Sequence, residues 1–340
     1  MGAHNAAFLR DASSSFSLAG NQFHNATVAL SAGIRLLQAQ VHLHNDVLTL
    51  CHTACSLLSA GPLQNWLSAI KTWLDSHPND VVTLVLVNSA TAPVDKFGGV
   101  FAASGLSSYG YVPEQAIDVL AEAEGNGTTT TTTWPSLREM IDANKRLVVF
   151  LTNISPSPAH PYLLDEFQHI FETAYEVTSP NDFSCTIDRP SSVSGGSVSD
   201  AVGRGMMGCL NHFAYSSVTD GISVPNLGAI ETVNSGWKGG NGTEGGEGER
   251  KERGGLGWHM DLCVQGEWNG KRPNFVLVDF WDKGDVLDVG DRLNGVEGAT
   301  VGRERVVEGE VESGAVARWE SKLGGMVALV GFVVGGLLVV

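Results

Sequence analysis

Residues 33–55 read GIRLLQAQVHLHNDVLTLCHTAC, and the fold follows from how this stretch is read. After Gly33 comes an apolar run, Ile34-Arg35-Leu36-Leu37, whose alternate positions continue into Gln38, Gln40 and His42. Alternate residues of a strand share a face. Ile34, Leu36, Gln38, Gln40 and His42 would therefore line one side, apolar at the start and polar at the end, with Arg35 turned the other way as a structural ion-pair partner. A buried face that becomes polar toward its C-terminal end is what a strand of a parallel α/β barrel shows beneath a site. A second short strand, Val47 to Leu50, then delivers His52 between Cys51 and Cys55.

Outward from this stretch the chain alternates helical and strand patterns. Leu63, Trp66, Leu67, Ile70, Trp73 and Leu74 have the spacing of an amphipathic helix. His77-Pro78-Asn79-Asp80 ends it, and the unbroken apolar run Val81 to Val87 reads as a buried parallel strand. Further helices are expected at Asn25 to Ala32 and Ser136 to Asn144. Further strands are expected at Arg146 to Thr152, Tyr175 to Thr178, Met206 to Phe213 and Phe275 to Trp281. Helices between apolar strands point to a parallel sheet, here closed as a TIM-type (β/α)8 barrel. The chain of 340 residues is long enough for one such barrel plus tails.

The barrel is expected over 1–303, with low-complexity loops at 125–133 and 238–257 that carry too little apolar area to order themselves. An acidic stalk and spacer would follow at 304–322. The last eighteen residues, 323–340, are LGGMVALVGFVVGGLLVV without a charge. With Ser313-Gly314-Ala315 upstream, they read as a glycosylphosphatidylinositol attachment signal, or else as a transmembrane helix. The formal charge of −16 gives nucleic-acid binding no electrostatic support. Four Asn-X-Ser/Thr sequons, at Asn25, Asn126, Asn153 and Asn241, favour the secretory route. So would oxidised cysteines. Cys51 and Cys55 could bridge locally and fix the loop that carries His52. Of the five cysteines one must lack a partner, and the pairing of Cys185, Cys209 and Cys263 stays open.

Several segments, in order, resemble the phosphatidylinositol-specific phospholipase C catalytic domain, and more closely its fungal secreted PLC-like phosphodiesterase branch. They are GAHNAAF (2–8), Asn21-Gln22, GIRLLQAQVH (33–42), LCHTAC (50–55), WLSAIKTWLDSHPNDVVTLVLVN (66–88), Asn211-His212-Phe213 and RPNFVLVDFW (272–281). In that family an apolar strand comes immediately before the Gly-Ala-His-Asn motif. Only Met1 precedes it here, so the resemblance implies a barrel lacking its first strand, in a chain truncated at its N-terminus and without its signal peptide.

The resemblance also implies a two-histidine cleavage of a phosphodiester, for which imidazole suits both proton transfers. His4 would be the general base, His52 the general acid, and Asp279 the carboxylate that orients His4. Parity agrees, because Phe275, Leu277, Asp279 and Trp281 would share the inward face. Calcium-dependent members place an Asn beside the first histidine and carboxylates on the central strand, whereas metal-independent ones place an arginine there. This chain has Asn5, but Gln38 and Gln40 on the strand. Neutral amides match calcium poorly, so no metal or other cofactor is expected. Asn5, Gln38, Gln40 and His42 are then candidates for contacting the phosphate or inositol hydroxyls.

The function expected is a phosphoric diester hydrolase acting on a phosphoinositide or glycosylinositol lipid at the cell surface or outside it, held to the membrane by a C-terminal anchor. The alternative is a catalytically weakened barrel that binds lipid headgroups or glycans. Glycoside hydrolysis would need two inward carboxylates, and only Asp279 qualifies.

Overall fold

The computed structural model describes residues 1–113, 134–219, 222–238, 250–298, 302–304 and 306. The expected loop at 125–133 and the tail at 323–340 lie outside them. The first strands in chain order are β1 (Gly2–Ala3), β2 (Leu36–His44), β3 (Val47–His52), β4 (Leu58–Pro62), β5 (Val82–Asn88), β6 (Leu147–Leu151) and β7 (Leu163–Asp165). They are followed by β8 (Ile170–Thr173), β9 (Ile187–Arg189), β10 (Met207–His212), β11 (Tyr215–Thr219), β12 (Ile222–Pro225), β13 (Trp237–Lys238), β14 (Arg250–Lys251) and β15 (Phe275–Val278).

The main sheet runs β7-β6-β5-β2-β1-β15-β10-β8-β9, and every neighbouring pair from β7 through β8 is parallel. It curls as a TIM-type barrel wall. β7 pairs with β6 and β8 with β10, but not with each other, and only α5 (Glu166–His169) lies between them. Four residues are too few for an ordinary parallel crossover, so the wall passes from β7 to β8 without a ladder. The antiparallel pairs β2–β3 and β3–β4 carry the chain out over the C-terminal end of β2 and back.

The place of the first strand is taken by Gly2–Ala3, which bridges β15 (Gly2↔Leu277) and β2 (Gly2↔Leu36). Gly2 is required there, because a Cβ would sit 2.7 Å from the Leu36 side chain.

Two apolar layers follow from the strand alternation. Leu36, Val85, Val148, Phe150, Leu164, Cys209 and Leu277 fill the barrel interior. Leu37, Ala39, Val41, Leu84, Leu86 and Val149 face outward against the helices. Among those helices are α1 (Ala26–Ala32), α2 (Leu63–Ser76), α3 (Val94–Ser104) and α4 (Leu137–Asp142). α2 buries Leu63, Leu67, Ile70, Trp73 and Leu74, the stripe read from the sequence. Arg35 turns outward and pairs with Asp80 at 2.6 Å.

The structure corrects several boundaries. Ile34 precedes β2 and packs with the outer layer, so the inward series begins at Leu36. The strand expected at Tyr175 to Thr178 is instead β8, because Ile170 and Phe171 pair with Met207 and Gly208 while Tyr175 lies beyond the ladder. β15 ends at Val278, and Phe280 is left-handed (φ 46°), so alternation stops and Trp281 joins the outer layer. The stretch 238–257 is not all loop. β13 and β14 pair antiparallel, and fully buried Leu256 opens α8 (Leu256–Gln265), which follows α6 (Val198–Gly203) and α7 (Ile230–Val233). α9 (Val286–Asn294) ends the described helices.

Candidate active site

His4 follows β1, Phe213 follows β10 and Asp279 follows β15, so the C-terminal ends of neighbouring parallel strands bring all three to one mouth. There His4 Nδ1 donates to Asp279 Oδ1 at 2.8 Å, with both side chains buried. Asn21 Nδ2 donates to the same oxygen at 2.9 Å and fixes the carboxylate. The His4 ring lies flat on Phe213, centroids 3.6 Å apart at 4°, with Tyr215 edge-on at 6.4 Å. Gln22 clamps the backbone below: Nε2 donates to the carbonyls of His4 (2.7 Å) and Val278 (3.1 Å), and Oε1 accepts from Trp281 N. With Nδ1 engaged by the carboxylate, His4 leaves Nε2 for chemistry.

His52, the last residue of β3, is held in the same way from another side. Its Nδ1 donates to the Ala19 carbonyl at 2.7 Å, and Phe8 stacks on the ring at 5.2 Å. Burial pushes its pKa down to about 4, helped by the charges of His4 and His42 and opposed by the Ala19 bond and Asp279. This coupling places His4, His42, His52 and Asp279 in one electrostatic neighbourhood. A disulfide joins Cys51 to Cys55 around His52. A second joins Cys185 to Cys263, and Cys209 is the free, buried thiol.

The central strand meets both histidine loops. Gln38 Oε1 accepts from Asn5 N at 2.7 Å, and Gln40 Oε1 accepts from Thr53 N at 3.0 Å. The Asn5 carboxamide is fully buried, with Oδ1 and Nδ2 both unpaired among the described residues. His42 shares the inward face; burial lowers its pKa, and its Nε2 is likewise unpaired. The calcium that the fold family implies does not fit this set. Asn5, Gln38 and Gln40 bring no carboxylate, and the two glutamine oxygens already accept backbone N–H groups.

Sequence reasoning missed part of the site. Asn21 and Gln22 were visible as a pair but carried no assigned role, and Phe8, Ala19, Phe213 and Tyr215 had no polar signature to mark them. Arg189 was missed because it arrives on antiparallel β9. Its register partner Glu172 neighbours the interior Cys209, which turns both charges inward. Arg189 pairs with Glu172 and covers Tyr175 at 4.2 Å. Burial, then the Glu172 charge, hold the Glu166 carboxyl well above its usual range.

A parallel α/β barrel with two buried imidazoles and a carboxylate at its C-terminal mouth has the groups for acid–base chemistry on a PI-PLC-like fold. The comparisons with known proteins agree. The PI-PLC X family model matches residues 1–294. A protein of the fungus Arthroderma benhamiae named PI-PLC X domain-containing protein 1 is 36% identical over 298 residues, covering 87% of this chain and 84% of that one. A second from the same fungus, described as an uncharacterized secreted protein, is 33% identical over 303 residues, which is 86% of this chain and 60% of the other. Among solved structures, the phosphatidylinositol-specific phospholipase C of Listeria monocytogenes superposes with a TM-score of 0.51 at 11% identity, covering 86% of this chain and 90% of that one. The chain belongs to the PI-PLC X-domain family.

Proposed function

We propose that this protein is a phosphoric diester hydrolase that cleaves a phosphoinositide or glycosylinositol lipid by two-histidine catalysis. The observation that carries the reading is the paired arrangement of His4 and His52. Each is tied through Nδ1 to a fixed acceptor and leaves Nε2 without a hydrogen-bond partner among the described residues.

His4 Nε2 takes the proton of the inositol 2-hydroxyl as that oxygen attacks phosphorus. The phosphorus–oxygen bond to glycerol breaks, and the glycerol oxygen leaves with a proton from His52 Nε2. The products are a cyclic inositol phosphate and a diacylglycerol. Asp279 stabilises the imidazolium that forms on His4. His52 is neutral in the free site and takes up its proton when the anionic phosphodiester arrives, since that charge opposes the burial that lowers its pKa. No metal or other cofactor takes part in this scheme.

The disulfides and the secreted relative support an extracellular setting. The proposal includes the three-part organisation (barrel 1–303, stalk and spacer 304–322, tail 323–340) and membrane attachment through the tail. It also includes glycosylation at exposed Asn25 and Asn153, whereas Asn126 and Asn241 lie outside the described residues. Among the described residues no helix is long and apolar enough to cross a membrane.

Incubation with phosphatidylinositol micelles, followed by phosphorus NMR beside His4→Ala and His52→Ala, tests the reading. Release of inositol phosphate that both substitutions abolish is the expected result. Equal release by the variants would remove the histidines from the mechanism. The neutral central strand favours the second reading, a headgroup-binding barrel, if the folded protein binds the micelles and turns nothing over.

A further inference from the structure

The two central-strand glutamines share a geometry that the proposed chemistry has not yet used. Each accepts the backbone N–H of the residue immediately after a histidine of the site: Gln38 from Asn5, Gln40 from Thr53. Both of those residues are non-glycine and left-handed, with φ of 50° and 60°. Such backbone needs support from its surroundings. The two braces are therefore equivalent, and they come from neighbouring inward positions of one strand.

A backbone N–H can only donate, so the atom facing it must be the amide oxygen. That assignment fixes the other end of each carboxamide as the NH2 group. Neither Nε2 has a hydrogen-bond partner among the described residues, and neither is sealed from solvent. Asn5 adds a second observation, a fully buried carboxamide with no partner for either polar atom among the described residues.

We infer that Gln38 and Gln40 hold the two histidine loops through Oε1 and present their Nε2–H donors to a phosphoryl oxygen, making the mouth an anion site that excludes a divalent cation. The inference rests on the phosphodiesterase reading and assigns its charge stabilisation to amide donors. Donors fixed in advance at the position of developing negative charge are an established means of stabilising it. A hard cation at the same place would meet N–H groups instead of the carboxylate oxygens it requires.

The test is calorimetric titration of the full chain with inorganic phosphate and, separately, with calcium chloride. Wild type and the double variant Gln38→Glu, Gln40→Glu are compared. Each Glu can still accept the backbone N–H through one oxygen but turns the other oxygen, an acceptor, into the mouth. The expected result is phosphate binding by wild type, weakened at least about tenfold in the variant, together with a calcium site that only the variant has. Calcium binding by wild type that is lost in Gln38→Leu, or unchanged phosphate affinity in the double variant, would overturn the inference. Should the double variant not fold, Gln40→Glu alone makes the same comparison, because its bond to Thr53 lies at an exposed loop. Both readouts are equilibrium binding. A chain that binds phosphate as described yet hydrolyses nothing would keep this inference and lose the phosphodiesterase reading.

Discussion

Falling pH should cost this protein stability at a set of histidines buried without charge. His52, His169 and His259 each have a pKa pushed down from 6.5 to about 4, with burial the leading cause in all three. The unfolded chain protonates them near 6.5 while the folded chain resists until about 4. Stability is therefore unaffected above pH 6.5, falls as the pH drops through that window, and levels off below about 4. One such gap, about 2.5 units, corresponds to about 3 kcal/mol, and three together to on the order of 10 kcal/mol. Glu166 and Asp165 oppose this. Burial raises both of their pKa values, so the folded state holds their protons more tightly and gains stability as the pH falls toward their unfolded values. The histidine and carboxyl contributions have opposite signs, and a substitution at one buried histidine separates them. His169 isolates one contribution. Its ring packs among Trp134 and Phe150, away from His4 and His52, and its Nδ1 has no partner among the described residues. In His169→Met, the stability difference between pH 7 and about pH 4.5 should shrink by about 3 kcal/mol. Urea unfolding followed by tryptophan fluorescence measures it. A difference that is the same in wild type and variant would refute the reasoning.

Other consequences can be checked on the same protein. Asp279→Asn keeps the shape beside His4 but removes the charge that holds its Nδ1–H, so kcat should fall by roughly 10²- to 10⁴-fold with little change in KM, read by steady-state kinetics on phosphatidylinositol. Because free His52 titrates at about 4, the pH profile of kcat/KM should break at about that pH; a profile whose breaks all lie near 6.5 or above would contradict a buried, neutral His52. Replacing Cys185 and Cys263 with alanine opens a covalent loop of sequence separation 78, against 4 for Cys51 and Cys55. Chain entropy then predicts a loss of about 4 to 5 kcal/mol for the first pair and about 2 for the second, to be read from urea midpoints. The smaller loss, at Cys51 and Cys55, should carry the larger fall in kcat, since that loop holds His52.

Period-2 alternation made the inward face of β2 legible, since Leu36, Gln38 and Gln40 had to share a side once the strand was granted, and the same rule turned Arg35 outward to Asp80. It failed past the strand's end: Asp279, just beyond β15, still meets His4, but the left-handed Phe280 sends Trp281 into the outer layer. Motif order revealed His4 and His52, whereas their supports stayed hidden. Phe213 reads as core in any sequence, Ala19 acts only through its carbonyl, and Asn21 reaches Asp279 across 258 positions. Arg189 escaped for a different reason. β9 joins the sheet antiparallel, and a barrel expected to be wholly parallel has no place for it. The glutamines' type suggested contact with phosphate or inositol, and no spacing announced that each also accepts a backbone N–H.

One measurement bears most directly on the claim that this barrel cuts a phosphodiester with two histidines and no metal. It is phosphorus NMR of phosphatidylinositol micelles with the full chain and a calcium chelator, beside His52→Ala. The account predicts a cyclic inositol phosphate signal that grows in the presence of the chelator and is absent with the variant. Growth only when calcium is restored would contradict the metal-free mouth. No growth under either condition from a folded protein would contradict catalysis itself.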